Sequence, residues 1–288
     1  TKSLFLYIDE SNNQYLFLEN KLFSIKEDNN YSFTFINKID SDVKYTDYIA
    51  LKHFTPEESQ NNKCPISENE IVFYGKKDKN TIVFYYVNEN NNYSIELDEI
   101  EDNISCKLYQ GAIIVCVFST KNKVKLISLI HKCTNSDDKT LEKMNEQDIK
   151  QFNHYYQAIL YDTRDYHNKI LCAIEKNNNG IKCISIEIEI SSEGIITTCT
   201  QQEIDNTFQV FFSFMEDNCN FTKFQNEYLL CCGSNDIIKC ERRDMNFALI
   251  NYFNINNPGK ITNLTIFNNN NEFLQLIYNN NLYDKVIV

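Results

Sequence analysis

The sequence predicts an all-β fold, a six-bladed β-propeller with disulfides inside its blades. The apolar 42% of the chain is largely Ile, Leu, Phe and Tyr, which suit a half-buried pleated sheet. A unit of two short apolar runs joined by a polar turn recurs along the chain and reads as a β-hairpin. Cysteines also face each other across several of these hairpins. Gly and Pro are scarce, and runs of Asn, which tolerates turn conformations, separate the apolar runs.

Six such hairpins are predicted, at residues 4–8 with 15–18, 71–74 with 82–87, 112–118 with 124–130, 170–174 with 181–188, 228–232 with 237–240, and 273–278 with 282–288. The intervals between them leave room for further strands, for example at 31–36, 93–97, 195–199, 208–214 and 260–267. Six units in the chain give about 48 residues per unit, which is within the range of propeller blades. We therefore expect one propeller domain over residues 1–288, and the alternative is a pair of tandem β-sandwiches.

One stretch departs from the β pattern. Residues 137–156 carry Leu141, Met144, Ile149 and Phe152 at near-helical spacing, with charged residues between them. Asp137 or Asp138 could cap such a helix. The pattern predicts a short amphipathic helix whose apolar stripe packs on a neighbouring blade.

Eleven cysteines without any C-x-x-C motif indicate an oxidising compartment rather than a metal or redox site. Centring the hairpin turns on their Asn and Gly residues places pairs of cysteines directly opposite each other, where a disulfide can form. The pairs expected from this register are Cys172 with Cys183, Cys231 with Cys240, and Cys106 with Cys116. Cys199 and Cys219 flank one predicted strand and could close the same blade. Cys64, Cys133 and Cys232 remain unassigned, and the odd total requires at least one cysteine that is free, which we favour, or bonded to another chain.

The net charge of −12 argues against binding to nucleic acid or to anionic membrane surfaces. The longest apolar runs are too short to span a bilayer. Five N-x-[S/T] sequons mark possible N-glycosylation sites at Asn30, Asn92, Asn103, Asn220 and Asn263. The N-terminus lacks a signal-peptide pattern, so we expect a mature or trimmed domain that is secreted or lies on the extracellular face of the cell surface.

No catalytic, cofactor or metal site emerges from the sequence. None of the four histidines, His53, His131, His154 and His167, has a metal-site spacing, and no G-x-S-x-G motif occurs. A sialidase would need three convergent arginines, whereas this chain has only Arg164 and the adjacent Arg242 and Arg243, and no Trp. We therefore expect a protein that is not an enzyme and has no cofactor.

The segments KILCAIEKNNNGIKCI (169–184) and EYLLCCGSNDIIKC (227–240) resemble the cysteine-rich protective antigens of malaria parasites, which are six-bladed propellers with disulfides inside the blades. The pattern is also similar to a propeller domain of a 6-cysteine-family surface protein, and the alternative within that group is a tandem of degenerate 6-cysteine sandwiches. The resemblance implies a non-enzymatic adhesion or scaffold module in a host-cell invasion complex, bound to other parasite surface proteins or to a host receptor. The competing function is an extracellular propeller enzyme or lectin that acts on glycans.

Overall fold

The computed structural model describes residues 4–8, 14–18, 21–28, 30–39, 42–51, 70–100, 104–110, 113–121, 123–135, 138–150, 155–162, 168–175, 180–203, 208–209, 219–224, 227–233, 237–244, 248–256, 261–269, 273–280 and 284–287. Every regular element in these ranges is a β-strand, so the predicted all-β class is confirmed.

In chain order the strands are β1 Leu4–Ile8, β2 Gln14–Leu18, β3 Lys21–Asp28, β4 Asn30–Lys38, β5 Lys44–Leu51, β6 Glu70–Lys76, β7 Thr81–Tyr86, β8 Asn91–Glu96, β9 Ser105–Gln110, β10 Ile113–Ser119, β11 Val124–Asn135, β12 Asp138–Ile149, β13 Tyr155–Asp162, β14 Asn168–Glu175, β15 Gly180–Ile190, β16 Ile196–Glu203, β17 Phe208–Gln209, β18 Cys219–Phe224, β19 Glu227–Gly233, β20 Ile237–Asp244, β21 Leu249–Asn256, β22 Ile261–Asn269, β23 Phe273–Asn280 and β24 Asp284–Ile287.

Apart from β17, the strands form antiparallel sheets in which chain neighbours pair, and they are grouped in two compact units. The first unit, Thr1–Ser41 with Phe208–Val288, contains the sheets β1-β2-β3-β4, β18-β19-β20-β21 and β22-β23-β24. The second unit, Asp42–Thr207, contains the sheets β5-β6-β7-β8, β9-β10-β11-β12 and β13-β14-β15-β16.

All six predicted hairpins are present, as the pairs β1–β2, β6–β7, β10–β11, β14–β15, β19–β20 and β23–β24. The predicted register also holds, since Ile174 lies opposite Ile181 and Cys172 opposite Cys183. The additional strands expected at 31–36, 93–97, 195–199 and 260–267 correspond to β4, β8, β16 and β22. Of the strand expected at 208–214, the described part is β17.

In the second unit, the sheet β9–β12 is packed on both faces, which explains why β10 reads as an unbroken apolar run. Alternate residues of β10 join two different cores. Ile114, Cys116 and Phe118 pack with residues of the sheet β5–β8, whereas Val115 and Val117 pack with residues of the sheet β13–β16.

Buried polar bonds tie these sheets together. The Tyr74 hydroxyl accepts a hydrogen bond of 3.0 Å from the backbone N–H of Cys106, which links β6 to β9. The Tyr109 hydroxyl donates to the Ile188 carbonyl at 3.0 Å, and the Ser105 hydroxyl accepts from the Leu160 N–H at 3.0 Å. Each bond satisfies a group that would otherwise be costly to bury.

The helix expected at 137–156 is wrong, because residues 138–149 form the strand β12 and strand β13 begins at Tyr155. The register of β12 against β11 shifts at Ser128/Leu129, so that Met144 is an extra residue in a β-bulge. Leu141 packs into the core shared with β5–β8, while Met144 and Ile149 contact the core on the opposite face. Apolar residues on both faces, offset by a bulge, therefore produced a spacing that imitates a helix.

Candidate functional site

Two of the predicted disulfides are present in the described part of the structure. Cys106 bonds to Cys116 between β9 and β10, and Cys231 bonds to Cys240 between β19 and β20, as the registers predict. The side chains of Cys172 and Cys183 lie outside the described residues, although their backbones are directly opposed. Disulfides of this kind persist in secreted and extracellular proteins.

The pairing of Cys199 with Cys219 is wrong, because Cys199 is a free, half-buried thiol. Cys199 lies in β16 directly opposite Ile188, so no cysteine faces it across the strand pair. Cys219 instead lies opposite Cys232, which is disulfide-bonded and which the sequence leaves unassigned. Burial raises the pKa of the Cys199 thiol, which keeps it protonated and unreactive at neutral pH.

A buried cluster of ionisable side chains lies between the sheets β5–β8 and β9–β12. The Tyr86 hydroxyl forms a hydrogen bond with Nε2 of His131, and their rings meet edge to face with centroids 4.8 Å apart. The Tyr93 ring packs edge-on against both and its hydroxyl donates to Glu89 at 3.2 Å. Glu89 in turn forms an ion pair with Lys139. Nε2 of His131 is thus hydrogen-bonded, whereas its buried Nδ1 has no hydrogen-bond partner among the described residues.

Glu70 lies at the start of β6 and is fully buried beside this cluster. Its Oε1 accepts a hydrogen bond of 2.8 Å from the Asn88 backbone N–H, and its Oε2 has no partner among the described residues. Burial, opposed by the Asn88 bond and reinforced by Glu89, raises the pKa of Glu70 to about 7. Burial, together with the charge of Lys139, lowers the pKa of His131 to about 4. Both groups are thus favoured in their uncharged forms at pH 5 to 6.

The shifted pKa values of Glu70 and His131 are of the kind found at active sites, but these side chains are enclosed between two packed sheets. Within the described ranges, no three His, Cys, Asp or Glu side chains converge to hold a metal ion. Arg242 and Arg243, two of the arginines weighed for a sialidase site, form ion pairs with Glu227 and Glu241. His53, His154, Arg164 and His167 lie outside the described residues.

An exposed apolar face is present at the end of the sheet β1–β4. Phe33 and Phe35 in β4 are 57% and 54% exposed. They lie opposite Ile25 and Phe23 of β3, and the Phe35 ring packs edge-on against Phe23 with centroids 5.8 Å apart. Because opposed residues of an antiparallel pair share a face, the four side chains form one apolar strip.

Two exposed lysines complete this surface. Lys21 of β3 and Lys38 of β4 are directly opposed at one end of the strip. Like charges in this position repel each other, and neither lysine has an ion-pair partner among the described residues. We name the set Lys21, Phe23, Ile25, Phe33, Phe35 and Lys38 the β3–β4 face. An exposed apolar patch rimmed by polar side chains is one of the features that can mark an interaction site.

The sequence predicts that β4 is a strand, but it does not predict that Phe33 and Phe35 are exposed to solvent. The alternation S-F-T-F at 32–35 is the pattern of a sheet with one buried face. Whether that face is covered depends on neighbouring elements, which no local pattern reports.

The structure describes the asparagine side chain of one of the five predicted sequons, that of Asn92. Asn92 and Ser94 are both exposed on β8, so this sequon is accessible for modification. Asn30, Asn220 and Asn263 lie in β4, β18 and β22, but their side chains are outside the described residues, as is all of Asn103. Among the described residues, no helix has the length and hydropathy needed to cross a membrane.

Solved structures with similar architecture decide the fold class. A structure of the SapL1 lectin in complex with alpha methyl fucoside matches 97% of this chain and 88% of its own, with a TM-score of 0.56 and 6% identity. The Cps50 (Swd1) β-propeller domain of Myceliophteria thermophila matches 98% of this chain and 96% of its own, with a TM-score of 0.50 and 5% identity. The chain has a β-propeller fold. At such low identity the likeness to these propellers concerns the fold alone, and no protein-family model and no curated protein matches the sequence.

Proposed function

We propose that this propeller is a non-enzymatic adhesion or scaffold module that binds a partner protein at an extracellular surface. The setting that the sequence resemblance implies is a parasite host-cell invasion complex, with another parasite surface protein or a host receptor as the partner. In this proposal residues 1–288 form one six-bladed domain, Cys172 and Cys183 form a further bridge inside a blade, and Asn92 carries a glycan.

The β3–β4 face carries the proposal. A large exposed aromatic strip costs free energy in water, and covering it with a partner recovers about 25 cal/mol per Å² of apolar area. Aromatic residues at the centre of a docking surface often dominate its binding energy. Phe33 and Phe35 have this character, since both are more than half exposed and lie on the same face.

Charge specifies the chemistry of the partner. Lys21 and Lys38 repel each other in the free protein, and an acidic side chain placed between them would relieve that repulsion. The rest of the chain is acidic, with a net charge of −12, so the face is a local exception. We infer a partner segment that is apolar along the strip and acidic at one end.

The experiment measures binding by surface plasmon resonance to a panel of recombinant parasite surface proteins and host-cell receptor ectodomains. Phe33→Ser combined with Phe35→Ser should raise the Kd of the bound partner at least tenfold. Lys21→Glu should weaken binding at low salt more than at high salt, because surface charge is screened. The matched control is Ser32→Ala with Thr34→Ala, which changes the opposite face of the same strand. Equal binding by the Phe variant and the control would refute this face as the site.

A glycan-directed function is the competing outcome. A glycan array that includes alpha methyl fucoside, together with a glycoside hydrolysis assay, tests it directly. Glycan binding, or hydrolysis abolished by a point change in one acidic residue, would replace the adhesion proposal by a lectin or an enzyme.

A further inference from the structure

The side chains of the β3–β4 face follow a regular order along the two strands. The three opposed pairs are Lys21 with Lys38, Phe23 with Phe35, and Ile25 with Phe33. The extra residue of the β-bulge, Ile36, belongs to β4 and leaves the alternation of β3 intact. Since Lys21 and Phe23 are two residues apart on β3, the cationic pair lies about 6.8 Å along the strand from an aromatic pair.

The cationic pair forms an unoccupied anchor for an anion. Lys21 and Lys38 are exposed, and within the described part of the chain neither has an anionic partner. Opposed Cβ atoms lie about 4.5–5.5 Å apart, so two flexible lysine side chains can converge on one anion between them. Lys binds phosphate-like groups as a point charge, whereas a planar carboxylate is matched best by the fork of an Arg. The pair therefore favours a tetrahedral oxyanion.

The aromatic pair offers a surface for a further ring. Phe35 is 54% exposed, and its ring packs edge-on against Phe23 with centroids 5.8 Å apart and an interplanar angle of 70°. Aromatic rings associate with their centroids about 4.5–7 Å apart, and more than half of Phe35 is free for such a contact.

One side chain of a partner protein can contact both pairs. A tyrosine whose hydroxyl carries a sulfate ester has a rigid ring and, at the far end of the ring, an anion with three terminal oxygens. With the ring on Phe35 and its long axis along the strand, the sulfate points toward Lys21 and Lys38. A tyrosine ring also brings a large contact area at a low cost in conformational entropy, which suits a small exposed surface.

We propose that the β3–β4 face binds a sulfated tyrosine, with the sulfate between Lys21 and Lys38 and the ring on Phe35. The inference rests on the proposed function, since it names the chemistry at the acidic end of the partner segment that this face binds. The net charge of −12 repels anions from most of the chain, so binding requires both the local lysines and the contact of the ring.

Saturation-transfer difference NMR with short synthetic peptides tests this site. The acetylated and amidated peptides Gly-Ala-X-Ala-Gly carry sulfotyrosine, tyrosine or glutamate at X. The sulfotyrosine peptide should give saturable transfer to its ring protons, and the other two peptides should bind at least tenfold more weakly. Its binding should also weaken as salt is raised, because exposed charges are screened.

The peptide titrations have three outcomes that overturn the proposal. Absence of saturable binding by the sulfotyrosine peptide overturns it outright. Equal binding by the glutamate peptide replaces the sulfate by an ordinary acidic side chain. Equal binding by a sulfated disaccharide, which has no aromatic ring, removes the role of Phe35.

Substitutions locate the binding site on the face. Lys21→Ala combined with Lys38→Ala should raise the Kd of the sulfotyrosine peptide at least tenfold, and Phe35→Leu should raise it at least threefold. The control combines Lys26→Ala with Lys121→Ala, which removes the same charge at exposed positions, the first of them on the opposite face of β3. Far-UV circular dichroism verifies the fold of each variant. An equal loss in the control assigns binding to overall charge and contradicts the site.

This inference and the proposed function fail separately. If the sulfotyrosine peptide does not bind, while a partner found by surface plasmon resonance still requires Phe33 and Phe35, only the sulfotyrosine inference is overturned. If the partner binds equally to wild type and to the variant with Phe33→Ser and Phe35→Ser, the face is refuted as the partner site, whatever the peptide titration shows.

Discussion

Replacement of Glu70 by glutamine should change how the stability of the protein depends on pH. Glu70 is fully buried, with one carboxylate oxygen bonded to the Asn88 N–H and the other without a partner among the described residues. Burial raises the pKa of Glu70 from its ordinary 4.5 to about 7. The folded state therefore holds this proton more tightly than the unfolded state. The stabilisation is fully present below pH 4.5 and is lost as pH rises through 7.

The size of the effect follows from the shift. Each pKa unit corresponds to about 1.4 kcal/mol, so the full linkage of Glu70 is about 3–4 kcal/mol. Between pH 5 and pH 8 the wild-type protein should lose about 2–3 kcal/mol of unfolding free energy through this group. The amide side chain of the Glu70→Gln variant cannot ionise and still presents an oxygen to Asn88, so the variant should not suffer that loss.

Urea unfolding at pH 5 and pH 8, followed by far-UV circular dichroism because the chain has no Trp, measures this difference. The difference in unfolding free energy between variant and wild type at each pH cancels the contributions of the other titrating groups. His131 is one of these groups, and because its pKa is lowered, it destabilises the folded state as pH falls from 6.5 toward 4. Glu96→Gln, at an exposed position of β8, controls for the loss of one carboxylate. If Glu70→Gln and Glu96→Gln shift the pH dependence equally, the reasoning about Glu70 is refuted.

Three further predictions concern the fold. Gly194→Ala should destabilise the protein by about 1–3 kcal/mol, because the φ of Gly194 is +85° and a Cβ there would lie 3.0 Å from Cγ of Met144. Thermal unfolding measures this loss, with Glu193→Ala as a control at an exposed position. Equal melting temperatures of the two variants would contradict the prediction. Non-reducing peptide mapping should recover a Cys172–Cys183 linkage, and a bond from Cys172 to a cysteine outside its hairpin would disprove it. Deleting residues 273–288 should abolish folding if residues 1–288 are one closed propeller, whereas a soluble truncated chain with native-like spectra would argue for independent parts.

The sequence predicts the hairpins well because their registers are fixed locally. In the β14–β15 hairpin, an Asn-rich turn places Cys172 opposite Cys183, and the structure has this register. The β19–β20 hairpin places Cys231 opposite Cys240 in the same way. A short turn and a period of two leave few alternatives, since a slip of one residue would move every side chain to the other face.

Features that depend on neighbouring sheets could not be predicted in this way. Nothing near Glu70 in the sequence marks it as buried, because its burial depends on the packing of the sheets β5–β8 and β9–β12. Cys199 failed as a bridge partner for the same reason, since its opposite residue, Ile188, is decided by the register of β15 with β16. The exposure of Phe33 likewise depends on which surfaces remain uncovered.

The end strands differ in a way that connects the fold to binding. Charges on β12 are bonded within its own sheet, as in the ion pairs of Lys132 with Glu142 at 2.6 Å and of Lys125 with Glu146 at 2.7 Å. These pairs cover an edge that would otherwise accept a strand. The equivalent positions of β4 and β21 carry aromatic and aliphatic side chains, with charge on β4 confined to its end at Lys38. The exposed aromatic side chains of β4 lie on the β3–β4 face, which is the surface that we propose for partner binding.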